Sequence, residues 1–302
     1  MKQYIKRDSR DSRDSRDSRP SKPNKDKKDE REEVAEPIRL NKFISHNSTY
    51  SRREADKIIA EGKVFLNGKV VTDLATKVSE SDDVKIGKQS IKEDKKRMYT
   101  VIIYNKPKGE LVTKHDPQGR KVIFDSLDNK YKHFMPIGRL DYASEGLVLL
   151  TDSVDVANKL MHSNLERIYK IKVDGKIHPK VEEAMKNGLE LEDASSGAHE
   201  LSKIKSMSFE PFIAYQILTN GDTFSKIKVG ISEGKNRELR RFFGHFGLEI
   251  MDLKRFEFGG ISLNNLPTGK SRYLTRDEYK DLRHFVNSTE IYKSKNNYSD
   301  ND

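Results

Sequence analysis

The stretch Gly138-Arg139-Leu140-Asp141-Tyr142-Ala143-Ser144-Glu145-Gly146-Leu147-Val148-Leu149-Leu150 sets a short polar turn directly ahead of an unbroken aliphatic run. Four consecutive aliphatic residues after a glycine read as a strand buried on both faces. A carboxylate in the loop just before such a strand has a rigid support, which suits a nucleophile. The Arg139–Asp141 spacing equally suits an ordinary surface ion pair of little energetic value. Local pattern leaves both readings open.

Outward from this stretch, short β-branched and aromatic runs recur at 99–105, 169–173, 212–218 and 225–231, beside the strand at 146–151. Helical patterns interrupt them at 154–162, 179–187 and 237–246. Strands separated irregularly by helices predict an α+β domain over 98–286, built on a mixed, largely antiparallel sheet. In the last helix Leu239, Phe242, Phe243 and Phe246 share one face, which predicts core. Arg237 and Arg241 fall opposite, toward solvent or a polyanion. Arg240 falls on the flank, its guanidinium within reach of a cleft. Together with Lys235 these cations crowd a helix start, where the helix dipole disfavours positive charge, and Lys235, Arg237 and Arg241 are therefore phosphate-binding candidates. In the alternating run 167–174, Tyr169, Ile171 and Val173 share a face, and the pattern makes Tyr169 core filler as readily as a functional ring.

Upstream, residues 37–87 carry the signals of a small helix–hairpin unit. Ile38, Leu40, Phe43 and Ile44 have helical spacing. Ser51-Arg52-Arg53-Glu54 is a capping box for a second helix, and Gly62 sits at its left-handed C-cap position. Asn67-Gly68 between two β-branched runs predicts a tight hairpin. Arg52 and Arg53 oppose the helix dipole, so they are either solvated or docking sites for phosphate. Residues 88–97 read as a linker. Residues 1–36, with four Asp-Ser-Arg units from Asp8 to Arg19, and residues 287–302 read as charged tails too poor in apolar groups to offset their ordering entropy.

Composition narrows the chemistry. The net charge of +10 suits a polyanionic partner or simply a basic surface. With no cysteine, disulfides and thiolate metal sites are excluded, and a reducing compartment fits. The eight histidines show no metal-ligand spacing, and there is no Gly-rich nucleotide loop, so neither a metal nor a nucleotide cofactor is expected. No apolar run is long enough for a membrane helix, and a cytoplasmic protein without membrane association is expected.

Taken in order, the Arg-Arg helix with its Asn-Gly hairpin, Gly-Arg-Leu-Asp, Arg-x-Tyr-x-Ile and Gly-Lys-Asn-Arg-Glu-Leu-Arg-Arg closely resemble the RsuA/RluB family of ribosomal RNA pseudouridine synthases. The unit at 37–87 is similar to the family's S4-type RNA-binding domain. The resemblance implies that Asp141 is the catalytic aspartate and Tyr169 the ring stacked beneath the target base. It implies that Arg240 pairs with Asp141, that Leu239 forms the apolar pocket wall, and that Arg139 helps hold the flipped nucleotide. Ser144 stands where many members have threonine. The runs 156–162 and 188–193 look like the large-subunit RluB branch, which implies 23S in preference to 16S ribosomal RNA as partner, engaged by a monomer without cofactor, on ribosomal RNA or a ribosome-assembly intermediate. The rival readings are a non-catalytic RNA-binding assembly factor and an RNA-modifying enzyme of another chemistry, such as a methyltransferase.

Overall fold

The computed structural model describes residues 37–48, 50–79, 81–92, 99–199 and 202–288. These form two compact units that divide between Met98 and Tyr99. The tail expected at 1–36, and all of the expected C-terminal tail beyond residue 288, lie outside the described residues.

The first unit runs β1 (Ile38–Arg39), α1 (Leu40–Asn47), α2 (Arg52–Ala60), β2 (Val64–Leu66), β3 (Lys69–Val71), β4 (Lys77–Val78), β5 (Val84–Ile86) and β6 (Gln89–Ile91). An antiparallel sheet of order β3-β2-β5-β6 packs with the apolar sides of both helices, and Leu40, Ile44, Ala55, Ile59, Val64 and Val84 are fully buried. The capping box at Ser51 forms: Glu54 N–H donates to Ser51 Oγ (3.3 Å) and Ser51 N–H to Glu54 Oε2 (2.7 Å). Gly62 is left-handed after α2, and Asn67-Gly68 closes the β2–β3 hairpin with both residues at positive φ. Two expectations need correction. Ile38 does not share the first helix but pairs with Val78 in a small β1–β4 ladder. Of the linker expected at 88–97, Gln89–Ile91 instead pair with β5 and Ile91 joins the core, and residues 93–97 lie outside the described residues. A single buried aliphatic residue in a polar stretch suffices to close an edge strand.

The second unit runs β7 (Val101–Lys106), α3 (Ile123–Ser126), β8 (Met135–Ile137), β9 (Glu145–Thr151), α4 (Val154–Met161), β10 (Arg167–Asp174), α5 (Pro179–Asn187), β11 (Leu189–Leu191), β12 (Met207–Phe209), β13 (Ala214–Asn220), β14 (Phe224–Ile231), α6 (Glu238–His245), β15 (Ile250–Phe258), β16 (Ile261–Ser262), β17 (Ser271–Tyr273) and α7 (Arg276–Asn287). Its main sheet has the order β13-β14-β10-β15-β9-β7-β17, with β8 beside β9 and β16 beside β15. Every ladder in this sheet is antiparallel except β15–β9, which joins the two halves. The α+β, mixed and largely antiparallel architecture is the expected one.

Alternation along the strands makes two apolar layers. Ile102, Tyr104, Val148, Leu150, Tyr169, Ile171 and Val229 face the layer that includes α5 and α6. Val101, Ile103, Leu147 and Leu149 face the opposite way, against α4 and α7. Strands β7 and β9 are thus covered on both sides, which explains their unbroken apolar runs. Strands β10, β14 and β15 meet the first layer on one face and carry lysines on the other.

Candidate active site

The loop 138–144 is held from several directions. Leu140 anchors it in the first apolar layer, and Ser144 N–H donates to Asp141 O (3.0 Å), closing a turn. Gly146 follows with φ +107°, where a Cβ would lie 2.2 Å from Arg255 O. Only glycine lets β9 pair with β15 immediately after the loop. Below the loop lies Lys106, fully buried at the end of β7. Its ammonium donates to the backbone carbonyls of Pro107 (2.9 Å), Asp141 (3.1 Å) and Ser144 (2.7 Å). Burial lowers its pKa to about 8, while Glu110, Asp141 and Glu145 push the other way. Sequence reasoning missed Lys106; the signal was a lysine closing an otherwise apolar strand.

Asp141 is partly exposed and meets two guanidiniums from α6 and its cap. Arg240 Nε donates to Asp141 Oδ2 (3.2 Å), Arg240 Nη2 to Ser144 Oγ (3.2 Å) and Nη1 to Ile250 O (3.2 Å). Burial pulls the Arg240 pKa down, and Asp141 acts against that. Arg237 Nη1 stands 3.5 Å from the same carboxylate oxygen. Arg237 is not inside the helix as expected. It is the N-cap residue, left-handed at φ 51°, and its Nε donates to Gly197 O (2.8 Å). Gly197 itself crosses α6 so closely that a Cβ would lie 2.1 Å from Arg240 O.

A cleft of about 990 Å³ opens over this carboxylate, a size at the upper end of ligand sites. Asp141, Arg139, Tyr169, Leu239, Arg240, Arg237 and Lys235 all line it. Tyr169 and Leu239 are buried, whereas Arg139 is exposed. Lys235 is engaged within the protein: its Nζ donates to Ser208 O (2.6 Å) and pairs with Glu233 (2.6 Å). Arg241 departs from expectation. It is fully buried and is not part of the cleft wall. Its guanidinium donates to Ala194 O, Ile204 O, Asn236 O and Oδ1, and Ser202 Oγ. Ala194, Ser202 and Ile204 meet the face of α6 that the helical wheel assigned to solvent. Arg241 is therefore a tie between those residues and the helix, not a phosphate contact. Arg52 and Arg53, in the first unit, are both exposed in the first turn of α2.

Further charged residues, to which the sequence assigned no role, line the cleft. Arg167 donates to Leu165 O, Ser163 O and Ser232 O, and Arg255 donates to Leu147 O (2.7 Å), both with their guanidiniums near the Phe258 ring. At the mouth, Arg120 clasps Asp116 through two nitrogens and lowers its pKa to about 2. Glu238, which receives Lys235 N–H (2.9 Å), is buried, and desolvation raises its pKa to about 7.

Residues 100–245 match the family model described as RNA pseudouridylate synthase, and residues 38–84 match the S4 domain. An uncharacterised RNA pseudouridine synthase of Helicobacter pylori (strain J99) is 49% identical over 249 residues, 82% of this chain and 95% of that protein. The ribosomal large subunit pseudouridine synthase B of Bacillus subtilis is 38% identical, over 81% of this chain and 95% of its own length. The dual-specificity RNA pseudouridine synthase RluF of Escherichia coli K12 is 33% identical, over 85% and 83%. Among solved structures, a pseudouridylate synthase shares the fold with a TM-score of 0.53 at 24% identity, covering 81% of this chain and 99% of that one. The chain belongs to the RNA pseudouridylate synthase family, in the form that carries an S4 domain ahead of the catalytic fold.

Proposed function

We propose that this protein isomerises one specific uridine of ribosomal RNA to pseudouridine, acting on 23S rather than 16S RNA, with Asp141 as its catalytic carboxylate. The observation that carries the reading is the Asp141–Arg240 pair at 3.2 Å, set in a cleft beside buried Tyr169 and Leu239. Binding RNA alone gives no reason to present a carboxylate to a polyanion. The reaction breaks the N1–C1′ bond, turns the uracil, and joins C5 to C1′; the proton lost from C5 is balanced by one gained at N1. Composition and oxidation state do not change, so no energy source is needed. The Asp141 carboxylate serves at the sugar, by attack on C1′ or by removal of the C2′ proton. The Arg240 guanidinium compensates its charge in the cleft wall. Extruding the uridine costs a few kcal/mol, which stacking on Tyr169 and a phosphate contact from Arg139 offset.

The large-subunit preference follows the relative from Bacillus subtilis and the runs at 156–162 and 188–193. The S4 unit adds RNA contacts through Arg52 and Arg53, and the protein works as a cytoplasmic monomer on free RNA or an assembly intermediate. Pseudouridine mapping of 23S and 16S RNA from cells with and without the protein tests this. One protein-dependent site in 23S RNA is expected. A site in 16S RNA would overturn the subunit assignment, and no dependent site in either would favour a non-catalytic RNA-binding role.

A further inference from the structure

The face of β10, β14 and β15 turned away from the cleft carries an ordered, lysine-rich array. Tyr169, Ile171 and Val173 face the core, so Ile168, Lys170 and Lys172 face outward between them. Register puts Lys170 directly opposite Lys228 on β14 and Lys254 on β15, a row of three ammonium groups across three strands. In the next row Lys172 stands opposite Lys226 on β14 and Asp252 on β15. Lys170 and Lys226 are exposed, and the other three are half-buried. Directly opposed like charges destabilise a sheet, so folding alone does not favour this arrangement.

Two aromatic rings organise the array. Phe256 is the extra residue of a β-bulge in β15, and Lys170 Nζ lies 4.3 Å and Lys254 Nζ 5.4 Å from its centroid. Phe224 stands at the end of β14, with Lys172 Nζ at 4.6 Å and Lys226 Nζ at 5.7 Å. A ring face holds an ammonium in place without neutralising it. Acidic residues interleave with the lysines and leave a positive excess: Asp252, opposite Lys172, pairs with Lys108, Glu145 lies 3.7 Å from Lys254, and Glu257 stands opposite Ile168.

From this placement we infer that the open face of β10, β14 and β15 is a second RNA-binding surface, which grips the phosphate backbone of a segment distinct from the one entering the cleft. The choice of RNA as ligand rests on the pseudouridine-synthase reading; the charge array does not. One strand then serves both contacts, since Tyr169 lines the cleft and Lys170 and Lys172 project from the other side. A large folded RNA has segments enough for both.

The test compares the full chain with a quadruple variant, Lys170→Gln, Lys172→Gln, Lys226→Gln and Lys228→Gln, and with the matching quadruple Lys→Arg variant. The probe is a 23S rRNA transcript, titrated over a range of salt concentrations. Neutralising four lysines is expected to weaken binding about tenfold near physiological salt and to make the salt dependence shallower by about three phosphate contacts. Turnover at saturating RNA stays at the wild-type value, thermal stability holds or rises, and the Arg variant binds as wild type. Unchanged affinity and salt slope in the Gln variant would overturn the inference. So would an affinity loss shared by the Arg variant and accompanied by a lower melting temperature, which is a folding effect. Lost affinity for polyglutamate with none lost for RNA would point to an acidic protein instead. A wild-type chain that makes no pseudouridine defeats the enzymatic reading, whereas an active chain with unchanged variant affinity defeats only this surface.

Discussion

Strand β10 separates two electrostatic regimes. On its core side, Tyr169 borders a cleft whose inner charges are matched: Arg240 and Arg237 with Asp141, Arg167 and Arg255 with backbone oxygens, and, below the loop, Lys106 with three carbonyls. On its open side, Lys170 faces Lys228 and Lys254 across the ladders, and Lys172 faces Lys226 and Asp252. In the first regime each charge has a specific partner, and removing one leaves the other in a poorly solvated place. In the second, lysines outnumber carboxylates on an open face, and removing one relieves repulsion between neighbours such as Lys170 and Lys228. The difference separates geometry for chemistry from general attraction for a polyanion.

The contrast breaks first at Arg240. Arg240→Met leaves Asp141 without its closest cation, and turnover is expected to fall on the order of 10²-fold with RNA affinity little changed; Arg240→Lys recovers part of the loss. Single-turnover kinetics at saturating RNA measure this, and full activity in the Met variant would place Asp141's partner elsewhere. Arg241→Met, one residue on, should behave differently. It strands several buried carbonyls and lowers stability by about 3 kcal/mol in denaturant titration, while the folded fraction keeps its turnover. A loss of turnover without a loss of stability would put Arg241 back at the RNA.

Glu238 sharpens the comparison through pH. Burial raises its carboxyl from an ordinary 4.5 to about 7. Between those values the folded chain holds a proton that the unfolded chain has released, so this group makes stability fall as pH rises through that window. Glu238→Gln is expected to flatten that slope and to stabilise the protein at neutral pH by up to about 3 kcal/mol. Melting curves from pH 4.5 to 8 would expose the opposite case, an unchanged slope in the variant.

Local pattern left Asp141 and Tyr169 open, and it was the resemblance of their short motifs, with that of Leu239 and Arg240, to a known family that singled them out. The capping box at Ser51 and the Asn67-Gly68 turn were legible directly, because their physics spans four residues or fewer. Arg241 was misread because the segment that buries it lies about 40 residues away in sequence. Lys106 and Arg255 escaped notice, and Arg167 was quoted in its motif without a role, because their partners are mainly backbone carbonyls, which leave no mark on side-chain pattern. Strand β15 was missed because bulges at Met251 and Phe256 shift its parity twice and destroy the period of two. Helix α7 buries only Leu282 and Val286 well, too thin an apolar stripe to declare itself, although Thr275 and Glu278 form a capping box.

The most direct test of the account is single-turnover pseudouridine formation by Asp141→Asn on its mapped RNA site, with affinity measured on the same samples. With Asp141 as the catalytic carboxylate, formation falls by about 10²–10⁴-fold while RNA affinity stays at the wild-type level. Turnover within tenfold of wild type would contradict it and remove Asp141 from the chemistry.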